Sequence, residues 1–248
     1  MQELEADDIR LVPSELRSHR KELAKLVPQG FLVFLGPPGT GKTRFSMAWL
    51  EFVLSVYMVM HPDDQFLVVL DSWTRNAVEL LVRRCLERLK EKFALRLVML
   101  GKEWEQFCKE YKEYASVMEL GKEIERWQWL LRQKGLIFVC GTVGKLAYVP
   151  NSVWTANETL YGKVDLRLED EATQILHTSS LSTIRYDSVN GLRSVAADPR
   201  QLPAHQYSAR TIPTLMFNLL LNHRSLFLDE QYRQPDNLNA FSSIMFYA

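Results

Sequence analysis

The chain has 248 residues, 47% of them hydrophobic and 24% charged, and its thirty Lys+Arg balance thirty Asp+Glu for a formal net charge of +0. This composition belongs to a globular protein of one large or two small α/β domains with a sizeable core. It excludes a global field that would draw the chain onto nucleic acid or a membrane, so any nucleic-acid contact has to be local. Cys85, Cys108 and Cys140 are scattered without metal-ligand spacing and read as reduced core residues of an intracellular protein, cytoplasmic or nuclear. The acidic start, Met1 to Asp8, is no signal or transit peptide. The most apolar helical stretch, Trp49 to Met60, is interrupted by Glu51 and too short to span a bilayer, so no membrane partner is expected.

In chain order, Pro13-Ser14 followed by Glu15 to Leu26 predicts one capped amphipathic helix with Leu16, Leu23 and Leu26 on a stripe. Phe31-Leu32-Val33-Phe34-Leu35 is a continuous apolar run suited to a strand buried on both faces. Next comes Gly36-Pro37-Pro38-Gly39-Thr40-Gly41-Lys42-Thr43, which fits G-x-x-x-x-G-K-[ST]. In such a loop, backbone N–H groups cradle the phosphates of a nucleoside triphosphate, the lysine neutralises the β- and γ-phosphates, and the Thr hydroxyl holds Mg²⁺. Arg44 to Met60 is apolar around most of its circumference and predicts a buried helix whose N-terminus points at the anion.

Phe66 to Leu70 predicts a second buried strand, and Asn76 with Glu79 marks the start of a helix with Val78, Leu81, Val82, Cys85 and Leu89 on one stripe. The alternation of strand and helix argues for a doubly wound, mostly parallel sheet with helices on both faces. Residues 87–134 read as a charged, aromatic-spiced helical insertion. Its aromatics at helical spacing, Trp104, Phe107, Tyr111 and Tyr114, suit a packed helical hairpin better than a base-stacking surface. Leu136 to Cys140 returns to buried-strand character, and Asn151 to Lys163 reads as loop. Val164 to Leu168 is a short strand candidate, but its apolar residues alternate with Asp165, Arg167 and Glu169. A central parallel strand is apolar on both faces, so the pattern expects a late start or an exposed part of the sheet. After it, Asp170-Glu171 offers two carboxylates with two roles, Asp170 holding Mg²⁺ through water and Glu171 taking a proton from the attacking water.

Four motifs in order carry a family resemblance: Gly-Pro-Pro-Gly-Thr-Gly-Lys-Thr, Asp170-Glu171-Ala172-Thr173-Gln174, Ala197-Asp198-Pro199-Arg200-Gln201-Leu202-Pro203, and Gln231-Tyr232-Arg233 with Phe246-Tyr247. They resemble those of superfamily 1 helicases of the nonsense-mediated-decay type, from about Leu11 to the last residue. The resemblance implies a RecA-like P-loop NTPase fold, with residues 1–248 forming a single ATP-binding motor domain. It implies ATP and Mg²⁺ as cofactors and single-stranded RNA or DNA as partner. By position, it makes Gln201 a sensor of the γ-phosphate and Arg233 a stabiliser of charge during transfer. The family pattern is not followed everywhere: Ala197 stands for Gly, Ala204 for Pro, Thr74-Arg75 for Ser-Asn and Gln234 for Met. A second RecA-like domain is not read, so the expectation is a hydrolase that is incomplete as a translocase and in need of a protein supplying the other motor domain. The alternative is a nucleotide-gated protein-binding module, or a degenerate helicase fragment, with negligible turnover. The Gln that such helicases use to read adenine is missing from Leu16-Arg17-Ser18-His19-Arg20, which leads to an expectation of weak discrimination between ATP and GTP.

Overall fold

A computed structural model of the chain describes residues 12–27, 30–118, 123–147, 162–175, 177–184, 186–198, 225–230 and 232. The predicted loop 151–163 lies outside these except for its last two residues, and Gln201, Gln231, Arg233 and the Phe246-Tyr247 pair lie wholly outside. The described residues form one eight-stranded sheet. In chain order the strands are β1 Phe31–Leu35, β2 Gln65–Ser72, β3 Leu95–Leu100, β4 Ala115–Met118, β5 Gly135–Thr142, β6 Val164–Asp170, β7 Asp187–Ala197 and β8 Leu226–Phe227. Their spatial order is β4-β3-β5-β2-β6-β7-β1-β8, and every pairing is parallel.

Helices cover both faces, as an all-parallel sheet requires. On one face α3 (Lys42–Met60), α4 (Arg75–Leu89) and α5 (Glu105–Glu110) bury Met47, Leu50, Leu54, Val78, Leu81, Val82 and Phe107 against Val68, Leu70, Leu166 and Leu168. On the other, α6 (Ile124–Leu130) and α7 (Val143–Ala147) pack Trp127, Leu130 and Leu146 on Leu67, Val69, Ile137 and Val139. Each fully buried aliphatic side chain contributes roughly 1.5–3 kcal/mol relative to exposure. Two short helices, α1 (Ser14–Arg17) and α2 (Arg20–Leu26), seat Leu16 and Leu23 beside Phe34, Phe45 and Trp49. The remaining helix, α8 (His177–Ile184), lies between β6 and β7 in the chain.

Four expectations are corrected. The single helix over 15–26 is broken between Arg17 and Arg20, where His19 leaves helical geometry (φ −103°, ψ 9°) and its ring meets Phe45 edge-on at 5.5 Å. The cap of α4 is Thr74, whose hydroxyl accepts from the Ala77 N–H at 3.2 Å, so the helix starts before Asn76. Residues 87–134 are not a helical insertion: they contain β3 and β4, which extend the sheet beyond β5. The Leu, Met and Arg of β3 favour helix in isolation, but ladder partners on both sides override that preference. Finally, β6 neither starts late nor lies exposed. It is a central strand, and Arg167 and Glu169 are fully buried with charged partners from β2 and β7.

Candidate functional site

The phosphate-loop motif joins the end of β1 to the first turn of α3. Gly39 and Gly41 have positive φ, 88° and 80°, a region that disfavours side chains. Gly36 is needed for space, because a Cβ there would lie 2.6 Å from both the Leu228 carbonyl oxygen and Thr40 Oγ1. Thr40 Oγ1 donates to the Pro37 carbonyl at 2.9 Å and braces the turn. The Lys42 ammonium donates to the carbonyls of Gly36 at 2.7 Å and Pro37 at 3.0 Å, so it lies curled within the loop it serves.

The carboxyl end of β6 brings the second half of the site. Asp170, 127 residues from Thr43, accepts a 2.9 Å hydrogen bond from Thr43 Oγ1 on Oδ2, while its Oδ1 takes the Glu171 N–H at 2.9 Å. Ser72, opposite it on β2, donates its hydroxyl to the Asp170 carbonyl at 2.9 Å. Glu171 is the only non-glycine with positive φ among the described residues, at 55°. That left-handed turn costs a non-glycine residue of order 1–3 kcal/mol, and such strain clusters at functional sites. Burial raises the Asp170 carboxyl above the ordinary aspartate range against the lowering pull of Thr43, the Glu171 N–H and Lys42. Burial, then the neighbouring Asp170 charge, raises Glu171. A raised Glu171 is the better proton acceptor.

These groups line a cleft of about 700 Å³ with Pro38, Gly39, Gly41, Lys42 and Asp198, and it continues along α3 and α4 past Met47, Leu80 and Arg84. The segment after β8 closes the loop's outer side. The Leu228 N–H donates to Leu35, the Tyr232 N–H to Gly39 at 3.1 Å, and the Tyr232 phenol to Glu230. Arg233 is the next residue. At the far wall, Glu15 accepts from Arg44 and from both outer nitrogens of Arg88, whose Nε is held by Glu51. The Arg88 hydrogen bonds hold the Glu15 carboxyl down at about 2.

The structure thus brings Gly36, Pro37, Pro38, Gly39, Thr40, Gly41, Lys42, Thr43, Asp170 and Glu171 to one place. Asp198, which belongs to the third motif of the resemblance but has no role assigned there, also lines the cleft, as do Glu15 and Leu80, which no motif or spacing singles out. The donor set fits Mg²⁺: Thr43 hydroxyl and Asp170 carboxylate are hard oxygens, and this ion commonly takes one or two protein oxygens and completes its shell with water and phosphate. Among the described residues, no cluster of three or more His, Cys, Asp or Glu side chains could hold a metal unaided.

No protein-family model matches the sequence, and no curated protein matches it. Solved structures do. The chain superposes on the Type ISP restriction-modification enzyme LlaGI, in complex with a DNA substrate mimic, with a TM-score of 0.56 at 13% identity over 86% of its length. The fold is RecA-like. The ATP-dependent Type ISP enzyme LlaBIII bound to DNA gives 0.51 at 15% identity over 76% of the chain. The arterivirus nonstructural protein 10 helicase with DNA gives 0.46 at 16% identity over 91%. This RecA-like chain spans 16%, 12% and 42% of those three proteins.

Proposed function

We propose that the chain binds a nucleoside triphosphate with Mg²⁺ and hydrolyses it as a helicase-type motor domain acting on single-stranded RNA or DNA. The observation that supports this most is the 2.9 Å hydrogen bond joining Thr43 of the phosphate loop to Asp170 of β6, with Glu171 on the next residue. Phosphate binding draws Lys42 away from the Gly36 and Pro37 carbonyls toward the β- and γ-oxygens, and the loop N–H groups supply the remaining donors. Thr43 and Asp170 would hold Mg²⁺, which when bound neutralises charge on the phosphates. Glu171, raised by burial, takes the proton of the attacking water. Gln201 senses the γ-phosphate and Arg233 stabilises the charge that develops on it. The role of Arg233 draws support from Tyr232, which is hydrogen-bonded to the loop at Gly39.

The nucleic-acid part of the reading draws on the DNA held by the LlaGI and LlaBIII structures and on local chemistry. Thr74, Arg75 and Lys145 stand exposed just beyond the carboxyl ends of β2 and β5, on the same edge of the sheet as the cleft. The test is turnover of ATP with and without single-stranded RNA or DNA, in wild type and Glu171→Gln. The variant should keep nucleotide binding and lose roughly a hundredfold or more in turnover. Wild-type turnover in Glu171→Gln would remove the assigned base.

A further inference from the structure

An ionic ladder crosses the middle of the sheet on the face opposite α3 and α4. Arg167 of β6 pairs with Asp71 of β2 and lies 3.5 Å from Glu169. Glu169 accepts a 2.6 Å hydrogen bond from Arg193 of β7, and Arg193 lies 3.7 Å from Asp187. Asp71 and Glu169 are 0% exposed and Arg167 is 1% exposed. Such ladders contribute little net stability, since apolar residues of similar volume often serve as well or better. Their best-attested use is to specify register.

Here the register is consequential. Asp71 stands directly opposite Glu169, and Arg167 opposite Arg193, so each cross-strand pair of opposite charges in the ladder is made on the diagonal of this alignment. A slip of one residue would turn every charge of β6 onto the apolar face filled by Val68, Leu70, Met47 and Leu50. The ladder also stops one residue short of the site on both strands: Asp71 precedes Ser72, Glu169 precedes Asp170, and Ser72 Oγ holds the Asp170 carbonyl.

We infer that Arg167 and Asp71 are positioning residues: their buried pair locks β6 to β2 in the register that sets Asp170 against Thr43 and aims Glu171 into the cleft. This rests on the hydrolytic reading of that cleft. The test is the charge-neutral double variant Asp71→Leu/Arg167→Met, which leaves Glu169 its bond to Arg193. Three quantities are measured: the Kd of Mg²⁺-ATPγS, the kcat and KM of ATP hydrolysis, and amide hydrogen exchange over residues 169–174.

Nucleotide affinity and KM are expected within about threefold of wild type, while kcat falls roughly tenfold or more, because displacing reacting groups by an ångström can cost about a hundredfold. Exchange at residues 169–174 should rise roughly tenfold while β1 and β5 keep their protection. Asp71→Asn, nearly isosteric, is the milder variant should the double one not fold, and is expected to lower kcat about threefold. Wild-type kcat and exchange in whichever variant folds would overturn the inference. If wild-type protein shows no turnover that Lys42→Ala abolishes, the hydrolytic reading has failed instead, and unchanged exchange at residues 169–174 alone decides against the ladder.

Discussion

Replacing Arg167 with Met should destabilise the protein heavily, in a way that depends on pH. Three carboxylates, Asp71, Glu169 and Asp187, face two guanidiniums, Arg167 and Arg193, so among the described residues the ladder is already short of positive charge. Removing Arg167 leaves Asp71 fully buried without its partner, and orphaning one member of a buried pair costs about 3–5 kcal/mol. For 248 residues at about 2.1 cal/mol/K of unfolding entropy each, the midpoint should fall by roughly 6–10 °C.

The pH arm follows from Asp71. Burial pushes its carboxyl up to about 7 even with Arg167 beside it. Between the ordinary aspartate value and 7 the native state keeps a proton that the unfolded chain has released. Its contribution to stability is therefore full at low pH and lost as pH rises through that window. Without Arg167 the carboxyl rises further, so the deficit of the variant should be largest near pH 8 and shrink by about half near pH 5.5. Thermal unfolding followed by circular dichroism at both pH values measures this, with Asp71→Leu/Arg167→Met as the control that recovers most of the loss. A shift below about 2 °C at pH 8, or a deficit equal at both pH values, would refute the reasoning.

Gly36→Ala should lower nucleotide affinity about tenfold and stability by about 1–3 kcal/mol, because its Cβ would meet the Leu228 carbonyl and Thr40; isothermal titration and urea unfolding read both. Glu15 is held down at about 2 by Arg88, so its contribution is present above the ordinary glutamate range and lost as pH falls from about 4.5 to about 2. With the side chain 17% exposed, Glu15→Gln should cost only about 1–2 kcal/mol at pH 7 and flatten the acid limb of a urea-midpoint profile over that window. Competition binding should show ATP preferred over GTP by less than about a hundredfold, on the order of 3 kcal/mol. His19 packs edge-on against Phe45 at 5.5 Å, and a larger preference would mean that His19 or a backbone group reads the base in place of the missing glutamine.

What was legible in the sequence is local. The apolar run 31–35, the glycine spacing of the loop and the apolar character of α3 each announce themselves within a few residues. Strand β1 is buried as expected, while α3, expected buried over Arg44 to Met60, is buried at Phe45 to Leu50 and Leu54 and leaves Val59 and Met60 exposed. The joining of Thr43 to Asp170 follows from strand order instead. The strand between β1 and β6 is β7, which carries an Asn-Gly pair and Arg193, buries only its second half, and so shows no strand signal. The charges of β6 looked like exposure because their partners come from two other strands, and one strand cannot report that they are neutralised. In β3, helix-forming residues hid a strand that only its neighbours make stable.

Binding of Mg²⁺-ATP to the purified chain and to Lys42→Ala, each with and without EDTA, tests the central claim most directly. Wild type should bind only with Mg²⁺ present, and Lys42→Ala should lose roughly a hundredfold or more in affinity, since its ammonium meets the β- and γ-phosphates. Equal affinity in the two proteins, or binding indifferent to Mg²⁺, would contradict the assignment of the cleft.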